Sequence, residues 1–220
     1  GYYYVNIPLS KGRLSSQEMA QIADLAEEYG SRELRLTPTQ KIMIPYVKEN
    51  DELLKRLRRM GFSFDGPKMR WKSMGCASEF CGKSLNPHAR EVVNEVVEYL
   101  DKQFNPKILD EAGLRIHVSG CPNNCCATMI AEIGLDGRQI KEGGEMKQTY
   151  DISLGGRLGP QPLFGRPIEE KVPAGQIKHK IEALLNNYSR RRKPHETLGE
   201  FCNRHSVEEL RSYHNTLGAK

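Results

Sequence analysis

Apolar and polar positions alternate at the start of the chain, where Tyr3, Val5, Ile7 and Leu9 predict a strand with one buried face. The period then lengthens. Met19, Ile22, Ala23, Ala26 and Tyr29 recur at helical spacing behind a Ser15-Ser16-Gln17-Glu18 cap, and Gly30 closes that helix. Two further strands are expected over 33–37 and 41–47, joined around Pro38, and a short helix over 52–60 closed by Gly61. This β-α-β-β-α order describes a compact α+β unit ending near residue 67.

Beyond it the texture changes to longer loops. Asn86-Pro87 reads as a cap with proline at the first helical position, ahead of the stripe Val92, Val93, Val96, Val97 and Leu100. A strand is expected over 114–118, and two more, 133–135 and 150–154, flank an Asp136-Gly137 turn and a polar stretch. Residues 155–175 hold five glycines and four prolines and read as one long ordered loop or ligand cover. Ile177, Ile181, Leu184 and Leu185 mark the next helix; Val207, Leu210, Tyr213 and Leu217 mark the last.

With 220 residues, 38% hydrophobic and 28% charged, the chain suits one or two modest cores and leaves apolar surface for a cofactor or another polypeptide. The net charge of +5 is a mild excess. Its densest run, Arg190-Arg191-Arg192-Lys193, has only Tyr188 as a neighbouring aromatic, so it reads as a solvated helix end and not as a nucleic-acid surface. A diffuse positive surface suits an acidic electron-carrier protein. No stretch is long and apolar enough to span a membrane and no signal-like segment opens the chain, so a cytoplasmic location is expected. Gly1 leads straight into a strand with no preceding methionine, which reads as a piece of something longer.

Four of the six cysteines carry the chemistry. Cys76 and Cys81 are separated by four residues, Cys121 and Cys125 by three. Two short loops offering two thiolates each suit a [4Fe-4S] cube, which takes one thiolate per iron. In Gly120-Cys121-Pro122-Asn123-Asn124-Cys125, proline fixes one φ angle and asparagine tolerates the left-handed region. A helix starting within 127–133 would turn free amides toward the cluster. On these residues alone, a structural zinc site and buried unliganded thiols are the other readings. A disulfide fits the reducing compartment less well. Cys202 reads as a bystander in a polar helical segment, and none of the six histidines is assigned as a ligand.

Gly120-Cys121-Pro122-Asn123-Asn124-Cys125, then Ala131-Glu132-Ile133-Gly134-Leu135 and Tyr150-Asp151-Ile152-Ser153-Leu154-Gly155-Gly156, resemble the cluster and siroheme signature of sulfite and nitrite reductases. Leu34-Arg35-Leu36-Thr37-Pro38-Thr39-Gln40 and Glu79-Phe80-Cys81 are similar to two further segments of that family. The resemblance implies an α+β fold in two parts, a ferredoxin-like half-domain over 1–67 and an α/β cluster- and siroheme-binding domain over 68–220. It implies a [4Fe-4S] cluster on Cys76, Cys81, Cys121 and Cys125, with Cys125 also bridging to the siroheme iron. Gln40, Asn123 and Asn124 fall where family members approach the macrocycle, and Arg157 and Arg166 fall where its carboxylates need cations. Arg35, Lys41, Lys83 and Arg115 are the other basic residues near the matching segments.

The implied activity is six-electron reduction of sulfite to sulfide or nitrite to ammonia, fed by a ferredoxin or a flavoprotein and completed by a second half-domain or subunit carrying the anion-binding cations. A non-catalytic iron–sulfur or tetrapyrrole-binding module, or a corrin- or haem-synthesis enzyme on the same fold, is the alternative. Two departures stand out. The family usually places five residues between its first two cysteines, and Cys126 stands where a glycine is common; a small buried residue is the expected role for Cys126.

Overall fold

The computed structural model describes residues 1–9, 12–159 and 161–215, and the chain divides into two compact units, Gly1–Asp65 and Gly66–Lys220. In the first, β1 (Tyr3–Ile7) and β2 (Arg35–Leu36) both pair antiparallel with a central β3 (Ile42–Val47). Helices α1 (Ser16–Tyr29) and α2 (Asp51–Arg59) press Ile22, Leu25, Ala26, Leu53 and Leu57 onto Val5, Ile7, Ile42, Ile44 and Val47. The Ser15 cap forms as a reciprocal capping box with Glu18. Tyr3 departs from the expected alternation: the register of β1 shifts between Tyr3 and Val5, and the ring is 58% exposed. Tyr2, Tyr4, Leu36 and Tyr46 are exposed as well.

The second unit is built on a five-stranded sheet in sequential order, β4 (Met74–Gly75), β5 (Ile116–Ser119), β6 (Ile133–Glu142), β7 (Glu145–Leu154) and β8 (Arg166–Pro173). The pairs β4/β5 and β5/β6 are parallel, and β7 and β8 add antiparallel. Strong alternation splits the sheet into an apolar face of Ile116, Val118, Ile133, Leu135, Ile152 and Leu154 and a polar face of His117, Ser119, Asp136 and Ser153. The apolar residues join one core with α4 (Ala89–Gln103), α6 (Ile177–Arg191) and α7 (Leu198–Arg204). Short helices α3 (Met69–Lys72) and α5 (Pro106–Glu111), and α8 (Val207–Asn215), complete the unit. Leu217, expected in the last helix, lies outside the described residues.

Several expectations are corrected here. Asp136-Gly137 is not a turn: β6 runs straight through it, and Gly143-Gly144, both at positive φ, make the two-residue hairpin to β7. Gly137 is glycine for a different reason, since a Cβ there would lie 2.3 Å from the Gly120 carbonyl oxygen. The stretch 155–175 is loop only in its first half, because β8 follows. Pro167 and Pro173 are tolerated because β8 is the edge strand, where a ladder donor can be missing. Helix α4 starts at Ala89, not at Asn86-Pro87, because the buried Asn86 is used elsewhere: its amide donates to Gly120 O at 2.8 Å and its side chain to Thr149 O at 2.8 Å. The helical segment expected around Cys202 is α7, opened by a second capping box of Thr197 and Glu200, but Cys202 is completely buried in the core and not in a polar setting.

Leu100 lies at 0% exposure at the centre of the second core, so Leu100→Ala is expected to cost about 3 kcal/mol, read as a lowered urea midpoint. Met146→Ala at the exposed hairpin end should stay within about 0.5 kcal/mol of the parent.

Candidate iron–sulfur and siroheme site

Cys76 and Cys121 both lie just beyond the carboxyl ends of adjacent parallel strands, the place where α/β sheets present ligands. Gly75 pairs with Val118, and Cys76 extends the ladder by donating its amide to Val118 O at 2.9 Å. The chain then turns through a single 3₁₀ turn, Ser78–Phe80, into Cys81. Ser78 ties this loop to the start of α4 by accepting the Ala89 amide at 3.0 Å. Gly120, at the end of β5, donates its amide to Cys76 Sγ at 3.1 Å. An amide N–H on sulfur favours the thiolate over the thiol.

The two cysteine loops meet at Gly120. A Cβ there would fall 2.3 Å from Ser84 Oγ, 2.4 Å from Asn86 O and 2.6 Å from Ser78 Cβ, so only glycine lets the backbones approach this closely. The second loop then folds over the strand end toward the polar face of the sheet. Asn124 sits at φ 56 and Ala127 at φ 47, the left-handed bends that wrap Cys121–Ala127 into a tight coil. Asparagine adopts this region readily. No helix begins in 127–133, contrary to expectation: one 3₁₀ turn, Thr128–Ile130, is followed at once by β6. The Thr128 amide is not left open but donates to Asn124 Oδ1 at 2.5 Å. At the far end Arg115 grips Glu132 with Nε and Nη2 at 2.9 and 2.8 Å and donates to Ile130 O at 2.9 Å, anchoring the turn.

All six cysteines are free thiols, with Cys81 and Cys125 exposed, Cys76 half-buried and Cys121, Cys126 and Cys202 buried. Among the described residues, no three His, Cys, Asp or Glu side chains stand together closely enough to hold a single metal ion. A four-iron cube spreads its ligands more widely, one thiolate to each iron. Cys126 turns inward: its amide donates to Ser119 Oγ at 3.2 Å, and burial, then the neighbouring Cys76 and Cys125, push its thiol up to about 12. It packs as a small hydrophobe, while Cys125 beside it faces out.

The surroundings suit a large, flat, partly apolar cofactor. Phe80, next to Cys81, is 79% exposed. Leu158, Leu163 and Phe164 are exposed on a loop that docks onto the turn after Cys125, where the Gly165 amide donates to Met129 O at 2.7 Å. A Cβ at Gly156 would strike Met129 O and Ala131 O at 2.5 and 2.4 Å, so this loop too is seated by close backbone approach. Exposed apolar side chains gathered beside exposed thiols are what a bound macrocycle would cover. Asn123 is exposed on the cysteine loop.

The basic residues are placed less as expected. Arg157 donates to Gln161 O and Oε1 at 2.6 and 2.8 Å and faces Glu200; Arg166 donates to Cys202 O and His205 O at 2.5 and 2.9 Å. Arg157 is committed through its Nε and Nη2 to Gln161, whereas Arg166 uses only Nη2 and its buried Nε has no hydrogen-bond partner. Arg115 is likewise spent on Glu132. Gln40 belongs to the first unit, at φ 57 in the turn from Thr37 to Lys41, with its side chain against Gly12. Lys41 beside it is 7% exposed, donates to Thr39 O at 2.9 Å, and is held down at about 8 by burial. Asn86 resembles only a helix cap in the sequence, and Ser119 and Thr128 carry no signal beyond being ordinary polar residues.

Similarity to known proteins agrees with this architecture. The nitrite/sulfite reductase ferredoxin-like half domain matches residues 1–59, and the nitrite and sulphite reductase 4Fe-4S domain matches residues 86–217. A protein named sulfite reductase [ferredoxin] 1 from Mycolicibacterium paratuberculosis is 31% identical over 96% of this chain and 39% of its own length. The chloroplastic ferredoxin–nitrite reductase of Spinacia oleracea is 32% identical over 85% of this chain and 32% of its own. The structure of the Mycobacterium tuberculosis NirA protein superposes with a TM-score of 0.78 at 28% identity, covering 96% of this chain and 40% of that one. The chain therefore belongs to the nitrite/sulfite reductase family, whose cofactors are a [4Fe-4S] cluster and siroheme. It spans well under half the length of these relatives.

Two measurements follow. Gly120→Ala should cost about 1–3 kcal/mol by overpacking and lower iron content at the same time, because it pries the cysteine loops apart. For Lys41, the folded-state value of about 8 lies below the unfolded 10.5, so the protonated form opposes folding fully below about pH 8, and that opposition fades as pH rises toward 10.5. Lys41→Met is therefore expected to stabilise the first unit by on the order of 2 kcal/mol at pH 7, with the gain shrinking across that window in urea titrations.

Proposed function

We propose that this chain is the cluster- and siroheme-binding portion of an oxidoreductase that reduces sulfite to sulfide or nitrite to ammonia, taking electrons from a ferredoxin. The observation that carries the reading is the meeting of the two cysteine loops at Gly120, beside exposed apolar side chains and beyond the ends of two parallel strands. Cys76, Cys81, Cys121 and Cys125 are the proposed ligands, and Cys125 is the one that also meets the siroheme iron, since its neighbour Cys126 is turned into the fold and kept protonated by burial. Held by these four cysteines, with Cys125 placed to touch both groups, a cluster and siroheme would supply the single electrons that reduction of the anion needs.

This chain's own residues hold and orient. The Gly120 amide donates to Cys76 Sγ, Asn124 shapes the coil that presents Cys125, and the Arg115–Glu132 pair pins the end of that coil. Arg115 and Arg157 are engaged within the protein and Arg166 is engaged through Nη2, which supports a companion polypeptide as a source of anion-binding cations. The exposed Tyr2, Tyr3, Tyr4 and Tyr46 of the first unit support the same reading, as apolar surface for a second half-domain or subunit. The names of the relatives, sulfite reductase [ferredoxin] and ferredoxin–nitrite reductase, support a ferredoxin as donor. Among the described residues no helix is long and apolar enough to cross a membrane.

Anaerobically purified protein is expected to be coloured and to contain iron, acid-labile sulfide and siroheme. Methyl viologen-driven reduction of both anions, with and without the companion half, then distinguishes the substrates. Cys125→Ser should lose most of the iron and siroheme together, whereas Cys202→Ala should keep both. A colourless, zinc-loaded protein would reject the proposal.

A further inference from the structure

Asp136 stands on the polar face of the sheet, level with Ser119 on one side and Asp151 on the other, directly under the coil that carries Cys125. Thr128 Oγ1 lies 3.0 Å from both of its carboxyl oxygens and 2.8 Å from Asn124 Oδ1. The orientation of the Asn124 amide is settled by the backbone, because its oxygen also receives the Thr128 N–H, and a flipped NH₂ there would oppose donor to donor. The short contact between Asn124 Oδ1 and Thr128 Oγ1 therefore needs a proton, and only the hydroxyl can supply it. A hydroxyl has one proton. Once it is given to Asn124, the contact between Thr128 and Asp136 can be a hydrogen bond only if the carboxyl brings a proton of its own.

We propose that Asp136 is a proton-holding positioning residue: its carboxylic O–H donates to Thr128 Oγ1, freeing the hydroxyl proton for Asn124 and locking the left-handed turn that presents Cys125. The charges facing Asp136 oppose one another, Arg138 favouring the carboxylate and Asp151 disfavouring it. Arg138, on the same strand, is spent on Asp151, donating Nε to Oδ2 at 2.6 Å. Asp151, across the β6/β7 pairing, discourages a negative charge on Asp136. From β5 the nearest groups are the uncharged Ser119 and His117, whose burial holds it toward the neutral form. The 3₁₀ turn above contributes only Thr128, which is fully buried. Burial raises Asp136 from its ordinary value, against Thr128 and Arg138, which lower it. The significance for the cysteine loop rests on the function proposed above; the proton count does not.

The test uses the full chain with ¹³C-carboxyl-labelled aspartate. Infrared spectra at neutral pH should contain the carbonyl stretch of a protonated aspartic acid that is absent from Asp136→Asn. That band should titrate away only well above the pH at which ordinary aspartates ionise. Asp136→Asn, whose NH₂ can replace the carboxylic donor, should retain iron and siroheme near parental levels, while Asp136→Leu and Thr128→Val should each lose several-fold. The absence of a protonated aspartate band in the parent overturns the proposal, and so does an Asp136→Asn protein no better than Asp136→Leu. The parent band needs no variant to fold. If the band is present in a protein that binds neither cluster nor siroheme, the functional reading fails while the assignment of the proton stands.

Discussion

Everything in the second unit depends on one close approach, the backbone of Gly120 lying against the segment from Ser78 to Asn86. Two parallel strands end side by side, and their carboxyl ends would ordinarily splay into separate loops. The missing side chain at Gly120 lets the Asn86 amide reach its carbonyl and lets its own amide reach the Cys76 sulfur. Gly137 gives way on the other side, so the Gly120 carbonyl is accommodated between two strands without a clash. Remote cysteines thus become neighbours through backbone contact, not through any pairing of the thiols themselves.

Around that contact the polar residues divide the work. Asn86, which resembles a helix cap in sequence, is buried as a bridge from the first cysteine loop to Gly120 and to β7. Ser119 accepts the Cys126 amide, which turns that thiol inward and leaves Cys125 facing out. Arg115 and Glu132 form a buried, bidentate pair at the far end of the coil, where losing either partner would strand a desolvated charge. Cations that composition alone makes available to an anionic cofactor are consumed in holding the loops. A surface excess of positive charge is therefore a poor guide to which guanidiniums a ligand can use.

The two units differ in how plainly their patterns declare themselves. In the first, every element follows from a local rule: alternation for the strands, a capping box for α1, glycine at a positive φ after α2. In the second, the misread elements share a cause. Gly137 looks like a turn residue and proves to be a strand residue facing another backbone; Pro167 and Pro173 look like loop residues and prove to lie on an edge strand. Gly and Pro report that the backbone is unusual at a position, but whether the reason is a turn, an edge or a close neighbour is a property of the surroundings.

From the chain alone came the two-part α+β organisation, the expectation of a centre on Cys76, Cys81, Cys121 and Cys125, and the family signature at Cys121–Cys125, because local periodicity and short motifs are written in neighbouring residues. Which arginines are engaged, which of the adjacent thiols Cys125 and Cys126 faces outward, and the link from Asp136 through Thr128 to Asn124 were decided only by the tertiary structure. Each of these depends on groups brought together by strand pairing and burial, and neither burial nor the number of protons a hydroxyl must share can be read from sequence spacing.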